Sequence, residues 1–254
     1  MEPLGFTNPQ IQRLRRLLGR RSARWDEGAF VVEGEILLRE AVRAGWDVEM
    51  QYVAPGAEGV AELPTRYLAP GVMERVASTE HPQPVLAVVR MHEPSTVATA
   101  TRVVVCAGLS DPGNLGTILR SAEAAGFDLV ALTPGSVDPY SPKTVRASAG
   151  ALFHVPVVVD VDPSSLGVEL VGTSSHLGNP FTDTDLTGPL GIVIGNEAHG
   201  VPDDVQVTRW VTIPHAGRSE SLNAAMAATL LVFEVLRQQR AAHPDGPVQR
   251  APSK

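Results

Sequence analysis

The chain has 254 residues, of which 43% are hydrophobic and 19% charged, and a formal net charge of −7. That length suffices for one large or two modest domains with full cores. No apolar run approaches the roughly 20 residues that a membrane-spanning helix needs. The negative total argues against a nucleic-acid partner, but its distribution is uneven. Residues 1–24 hold six arginines and one glutamate, a charge of +5, so the remainder carries −12. Arginine supplies 19 of the 21 basic residues, which suits bidentate phosphate contacts. The first residues show no basic-then-apolar leader pattern. Cys106 is the single cysteine, so neither an intrachain disulfide nor a thiolate metal cluster is expected. It lies in the apolar run Val103–Ala107 and reads as core filler. A cytoplasmic location is expected.

In chain order, residues 9–22 predict an amphipathic helix with Ile11, Leu14 and Leu18 on one face and Leu17 beside them. Arg13, Arg16, Arg20 and Arg24 recur at helical spacing elsewhere on it. That face is either simply solvated or tracks phosphates. Residues 30–34 predict a strand ending in a turn, and residues 35–44 a helix that stops near Gly45. Short strands are expected at 50–54 and 85–91, with loops at 55–64 and 92–100, the second a linker. From residue 101 strands alternate with helices: strands at 102–108, 128–133, 168–173, 190–195 and 209–213, and helices at 116–125, 142–150 and 222–240. A further strand is expected near 155–159. This alternation means a mostly parallel α/β sheet with helices on its faces. Residues 241–254, with three prolines and no apolar stripe, predict a disordered tail.

Three segments place polar residues and glycine just after an apolar run, and loops of that kind line the ligand crevice of an open α/β sheet. In the first, Asp111-Pro112-Gly113-Asn114-Leu115-Gly116 is a turn leading into a helix expected from about Gly116. The free amides of that end suit an anion or a ribose. Arg120 then stands one turn into the helix, where the dipole disfavours a cation; it is either an ordinary surface arginine or a phosphate ligand. In the second, Gly195 allows close approach by a ligand. Glu197 either accepts a hydrogen bond or caps a following short helix, and His199 reads as a loop residue. In the third, Ser221 is expected as the N-cap of the last helix, and Asn223 can orient a substrate through donor and acceptor together. Leu222, Met226, Leu230 and Phe233 predict that helix's core stripe, and Ala224, Ala225, Ala227 and Ala228 permit close approach, within a subunit or between two. Residues 113–117 match neither a dinucleotide fingerprint nor a P-loop. No histidine–carboxylate spacing supports a metal, so none is expected.

Together these residues resemble the SpoU–TrmH family of RNA ribose 2′-O-methyltransferases, in the SPOUT class. The likeness is carried by residues 111–120, 194–200 and 213–223, with family-like stretches at 138–143 and 147–151. Residues 8–95 resemble, more weakly, the small substrate-binding domain that precedes the catalytic domain in many members, most clearly at Phe30-Val31-Val32-Glu33-Gly34. The resemblance implies a smaller α/β RNA-binding domain at 1–95 and a trefoil-knotted, mostly parallel catalytic domain at 101–240. It implies S-adenosylmethionine as cofactor, an obligate homodimer, and RNA as substrate, ribosomal RNA ahead of transfer RNA. An RNA-binding paralogue without catalysis is the other alternative. Carried over by motif, Asn114, Arg120, Glu197, Ser221 and Asn223 are the polar site residues. Thr173, Gly195, Ile213 and Leu222 hold the cofactor, and Arg13, Arg16 and Arg20 are the candidate RNA contacts. Two departures stand out: residues 163–168 leave room for barely one turn where relatives carry a helix, and His215 replaces a commonly apolar residue.

Overall fold

The computed structural model describes residues 2–92, 97–218 and 220–243. Its contacts divide the chain into two compact units. The first comprises Met1–Ser95, Ser110–Arg120 and Val137–Val157, and the second Thr96–Leu109, Ser121–Ser136 and Val158–Lys254.

The first unit opens with helix α1 (Pro9–Gly19). Asn8 caps it by accepting the amide of Gln10, and Pro9 occupies a first-turn position whose missing N–H costs nothing. Ile11, Leu14 and Leu17 are buried, as their spacing requires. The expected helix over 9–22 is instead broken. Arg20 is extended at φ −127°, and a second helix, α2 (Arg21–Glu27), runs to Gly28, which is left-handed at φ 59°. Gly19 is the weak point, because glycine loses the most backbone freedom in a helix. The break reorients Arg24. It was expected on the outer arginine face but is only 4% exposed. Its guanidinium contacts Asp138 through Nε at 2.8 Å and Nη2 at 2.6 Å, and donates to the Leu17 carbonyl at 2.6 Å.

Among the described residues a four-stranded sheet follows: β1 (Ala29–Glu33), β2 (Val48–Val53), β3 (Thr65–Tyr67) and β4 (Val85–Arg90), in the order β1-β4-β2-β3. β4 is antiparallel to both neighbours, and β3 runs parallel to β2. Helix α3 (Glu35–Arg43) starts after Gly34, whose φ of 99° suits glycine. β3 and the five-residue helix α4 (Val72–Val76) had no counterpart in the sequence reading. Both are shorter than the window in which a period shows. Helix α6 (Pro142–Ala147), capped by Ser141, packs on β1. Trp46 donates to the Phe153 carbonyl at 2.9 Å, and the Phe30 and Tyr140 rings lie 4.8 Å apart. Glu33, buried at the end of β1, accepts from Thr79 at 2.7 Å and lies 3.5 Å from Arg146. The leading part of helix α5 (Pro112–Ala124) joins the same body, because a Cβ on Gly116 would collide with Ala147.

The second unit is built on a sheet of seven strands among the described residues. They are β5 (Arg102–Cys106), β6 (Leu129–Leu132), β7 (Val157–Val158), β8 (Glu169–Thr173), β9 (Asn179–Pro180), β10 (Leu190–Ile194) and β11 (Arg209–Thr212). Their order is β7-β6-β5-β10-β8-β11-β9, and every pairing from β6 to β9 is parallel. The expected strands are all present, one or two residues shorter at their ends. Residues 163–168 form the single turn that their length allows, a 3-10 turn at Pro163–Leu166.

The last helix, α7 (Ala224–Ala242), packs on β10 the other way round from expectation. Ala224, Ala225, Ala228, Leu231, Val232 and Val235 are buried, whereas Met226 is 63%, Leu230 44% and Phe233 43% exposed, and Leu222 is exposed as well. Small side chains let the helix axis approach the sheet, so the alanine seam turns inward and the bulky stripe outward. Of the expected tail, residues 241 and 242 end this helix, and residues 244–254 lie outside the described residues.

Two outcomes follow from this packing. Asp138→Ala leaves a buried guanidinium uncompensated and is expected to cost about 3–5 kcal/mol in urea unfolding; Arg24→Met combined with Asp138→Leu costs less than either single change. Cys106 is fully buried, and burial pushes its thiol up to about 12. The folded chain therefore keeps a proton that the unfolded chain loses, so this stabilising contribution declines as pH rises above the ordinary thiol value of about 8.5. Native protein at pH 8 is expected to resist a thiol reagent that labels it fully in urea.

Candidate functional site

A pocket of about 620 Å³ lies within the second unit. It forms where three neighbouring parallel strands, β10, β8 and β11, end on the same side. Its walls are Thr173–Leu177 after β8, residues 194–203 after β10, Val211, Ile213 and His215 at the end of β11, and Glu220–Leu222 with Ala224 and Ala227 at the start of α7. A crevice at the carboxyl ends of parallel strands is where open α/β sheets bind ligands. A volume of this size is within the range of small-molecule and cofactor sites.

Each wall has a local cause. Thr173 ends β8 and donates its hydroxyl to the Val193 carbonyl at 2.9 Å, which locks the ends of β8 and β10 together. Gly195 is buried, and a Cβ there would collide with the backbone of Gly200 and Val201. That crowding arises because Asn196 and Gly200 exchange both backbone hydrogen bonds, at 2.8 and 2.9 Å, which closes the loop into a tight turn. Asn196 also accepts from the Ala198 amide and donates to the Gly108 carbonyl, both at 2.9 Å. Glu197 is exposed at the tip of this turn. No helix starts there, so the capping role open to Glu197 in the sequence does not arise. At the last helix the cap is Asn223 rather than the expected Ser221. The Asn223 side-chain oxygen accepts the amides of Ala225 at 3.0 Å and Met226 at 3.2 Å, because the helix begins at Ala224. Ser221 and Leu222 precede it in the pocket wall.

Thr173, Gly195, Glu197, Ile213, Ser221 and Leu222 thus share one pocket, while Asn223 shapes its rim as a helix cap. His215 also lines it. The sequence reading missed Ser174–Leu177, residues 201–203 and Trp210. The polar run after β8 carried the same signal as the three motif loops. Trp210 is admitted by Gly172, where a Cβ would stand 2.8 Å from the indole, and no sequence signal marks that pairing.

Asn114 and Arg120 belong to the first unit. Helix α5 starts at Pro112, four residues before Gly116, so Arg120 sits two turns in, beyond reach of the helix-terminal dipole. Arg120 is therefore not a cation set against the helix dipole, as the expected start near Gly116 would have made it. The helix end is also occupied: Asp111 accepts the Asn114 amide at 2.8 Å and Lys143 lies 3.2 Å from its other oxygen. Hydrogen bonding by Asn114 and then Lys143 holds the Asp111 carboxyl below the usual range, so these amides meet the protein's own anion. Arg120 is exposed and forms no ion pair among the described residues. Of the N-terminal arginines, Arg13 is half-buried against Glu27 at 2.5 Å and Glu49 at 2.8 Å. Arg16 is exposed, 3.9 Å from Glu27, and Arg20 is exposed at the helix break.

Comparison with known proteins places these features in a family. Residues 101–233 match the model of the SpoU rRNA methylase family, and residues 8–87 match that of the MRM3-like substrate binding domain. The chain is 34% identical to the 23S rRNA (guanosine(2553)-2′-O)-methyltransferase RlmP of Bacillus subtilis, over 81% of this chain and 88% of that protein. It is 32% identical to a 23S rRNA (uridine(2479)-2′-O)-methyltransferase of Streptomyces viridochromogenes, over 91% of each. The crystal structure of the SpoU methyltransferase AviRb from Streptomyces viridochromogenes in complex with AdoMet superposes with a TM-score of 0.83 at 32% identity, covering 91% of this chain and 98% of that one. The domain match over half of the chain, the near-full-length relatives and the fold shared with AviRb make this chain a member of the SpoU rRNA methylase family.

Proposed function

We propose that the protein transfers a methyl group from S-adenosylmethionine to a ribose 2′-hydroxyl of ribosomal RNA. The observation that carries this reading is the pocket at the ends of β10, β8 and β11, walled by the family's second and third motif loops. Its residues fit the cofactor. Gly195 lines the wall with backbone, its missing side chain making room for the Asn196–Gly200 turn rather than for the ligand as the sequence suggested; Ile213 and Leu222 offer apolar surface, and Thr173, Glu197 and Ser221 offer polar groups. The cofactor supplies a methyl group on a sulfonium that is already a good leaving group.

The chain's own residues have the remaining work. The hydroxyl must be aimed, its proton affinity lowered and water kept out. Asn114 orients the ribose through its amide. Arg120 clamps the adjoining phosphate and stabilises negative charge developing on the 2′-oxygen; a guanidinium stays protonated in proteins and is a poor base. Glu197, Ser221 and Asn223 hold the local network, Asn223 by fixing the start of α7. Arg16 and Arg20 contact RNA phosphates, and Arg13 does so less, because Glu27 and Glu49 already meet its charge. The N-terminal residues 1–95 act as the substrate-binding domain and residues 101–240 as the catalytic one, with the motif loops tied in a trefoil knot. We propose a cytoplasmic location for the enzyme.

The enzyme acts as a homodimer. The exposed stripe of Met226, Leu230 and Phe233 on α7 supports this, since a bulky apolar face on one helix is the usual mark of a protein interface. Light scattering is expected to give a dimer at micromolar concentration. Met226→Glu with Phe233→Glu is expected to give monomers without methyl transfer; a dimeric double variant refutes the interface.

Single-turnover transfer from labelled cofactor to ribosomal RNA, with mapping of the 2′-O-methyl site, tests the activity. Arg120→Ala is expected to slow the step on the order of a hundredfold or more at saturating RNA and to leave cofactor binding near normal by calorimetry. Transfer at the wild-type rate removes Arg120 from the chemistry.

A further inference from the structure

The arginines of the first unit differ in how their charge is met. Arg13, Arg24, Arg39, Arg43, Arg90 and Arg146 each face a carboxylate. Arg15 and Arg75 do not: among the described residues neither forms an ion pair. Instead both guanidinium groups lie on the ring of Phe6, 4.7 and 3.6 Å from its centroid, which puts them within about 8 Å of each other. Arg15 donates to Gln12 at 3.2 Å. Glu74, beside Arg75 in sequence, is exposed and pairs with neither.

Two cations converging without an anion repel each other, and the repulsion is relieved by an anionic ligand. Stacking on an aromatic ring fixes a guanidinium plane while leaving its in-plane N–H groups free for a phosphate. The ring itself is anchored. Phe6 packs on the unit's core cluster together with Leu4, and Leu4 pairs with the edge strand, donating to the Tyr67 carbonyl at 2.8 Å and accepting from Ala69 at 2.9 Å.

We propose that Arg15 and Arg75, both set over the Phe6 ring, form a contact point for the phosphate backbone of the ribosomal RNA substrate. The two guanidinium groups hold neighbouring backbone phosphates. This rests on the RNA methyltransferase reading above and adds a surface distinct from the Arg13, Arg16 and Arg20 side chains.

The test uses the full chain and an unmodified transcript of large-subunit ribosomal RNA. Arg15→Gln with Arg75→Gln is expected to raise Kd ten- to a hundredfold in 0.1 M salt and to flatten the dependence of log K on log salt by about 1.5. Phe6→Leu, which keeps an apolar anchor, is expected to weaken binding by a smaller factor than the double variant. Calorimetric affinity for S-adenosylmethionine, and turnover at saturating RNA, stay at wild-type values. Arg39→Gln with Arg43→Gln, a pair whose charges are met by Glu35 and Glu40, stays within twofold in Kd. A double variant with wild-type Kd and salt slope, alongside a wild type that methylates, overturns the proposal alone. A double variant that binds naked transcript normally but fails on the assembled ribosomal particle also overturns it, because the surface then meets protein. A wild type that neither binds nor methylates ribosomal RNA overturns this proposal and the function together.

Discussion

Strand β10 is the constraint on which the second unit depends. All five of its residues are buried, and it pairs in parallel with β5 on one edge and β8 on the other. A strand paired on both edges and covered on both faces has no freedom at its end, so the chain leaves the sheet at a fixed point. Gly195 stands at that point, and the Asn196–Gly200 turn closes immediately after it. Strand β8 is held to β10 by the Thr173 hydroxyl, and β11 is in turn aligned on β8. The pocket is therefore a consequence of strand order. Its three loops are distant in sequence and meet because their strands are neighbours that end on one side.

The first unit is held by interactions of another kind. Its N-terminal helices and sheet are joined to residues 137–157 by the Arg24–Asp138 pair, by Arg146 reaching Glu33, and by Trp46 on Phe153. Buried ion pairs add little net stability compared with apolar packing, but breaking one is costly, so they fix a single arrangement. Helix α6 then seats the leading half of α5 through the Gly116–Ala147 contact. The body that carries the candidate RNA-contacting arginines thus also carries Asn114 and Arg120. The pocket belongs to the other body. Residues of α5 up to Arg120 belong to the first unit and those from Ser121 to the second.

Much of this was legible in the sequence. Strands β5, β6, β8, β10 and β11 are apolar runs bounded by turn residues, and their alternation with helices required a parallel sheet. The loops after β10 and β11 announced themselves as glycine and polar residues following an apolar run, and both line the pocket. The sequence was silent where elements are short, as at β3 and α4. It was misleading where a face had to be chosen. In α7 the period of Leu222, Met226, Leu230 and Phe233 is truly helical, yet that stripe faces out.

The sequence by itself determined which residues share a face, which segments are strands, and what chemistry the motif loops carry, because these depend on neighbours a few positions away. Tertiary structure alone decided which face turns inward, where helices begin and which charges are neutralised. Arg24 is buried because Asp138, more than a hundred residues on, meets it; Asn223 rather than Ser221 caps α7 because packing against β10 sets the helix start. Arg13 and Arg15, two residues apart on one helix, end with opposite fates, one against Glu49 and the other on Phe6. Periodicity constrains direction about a helix axis, but the energy that selects a direction comes from partners the local sequence does not contain.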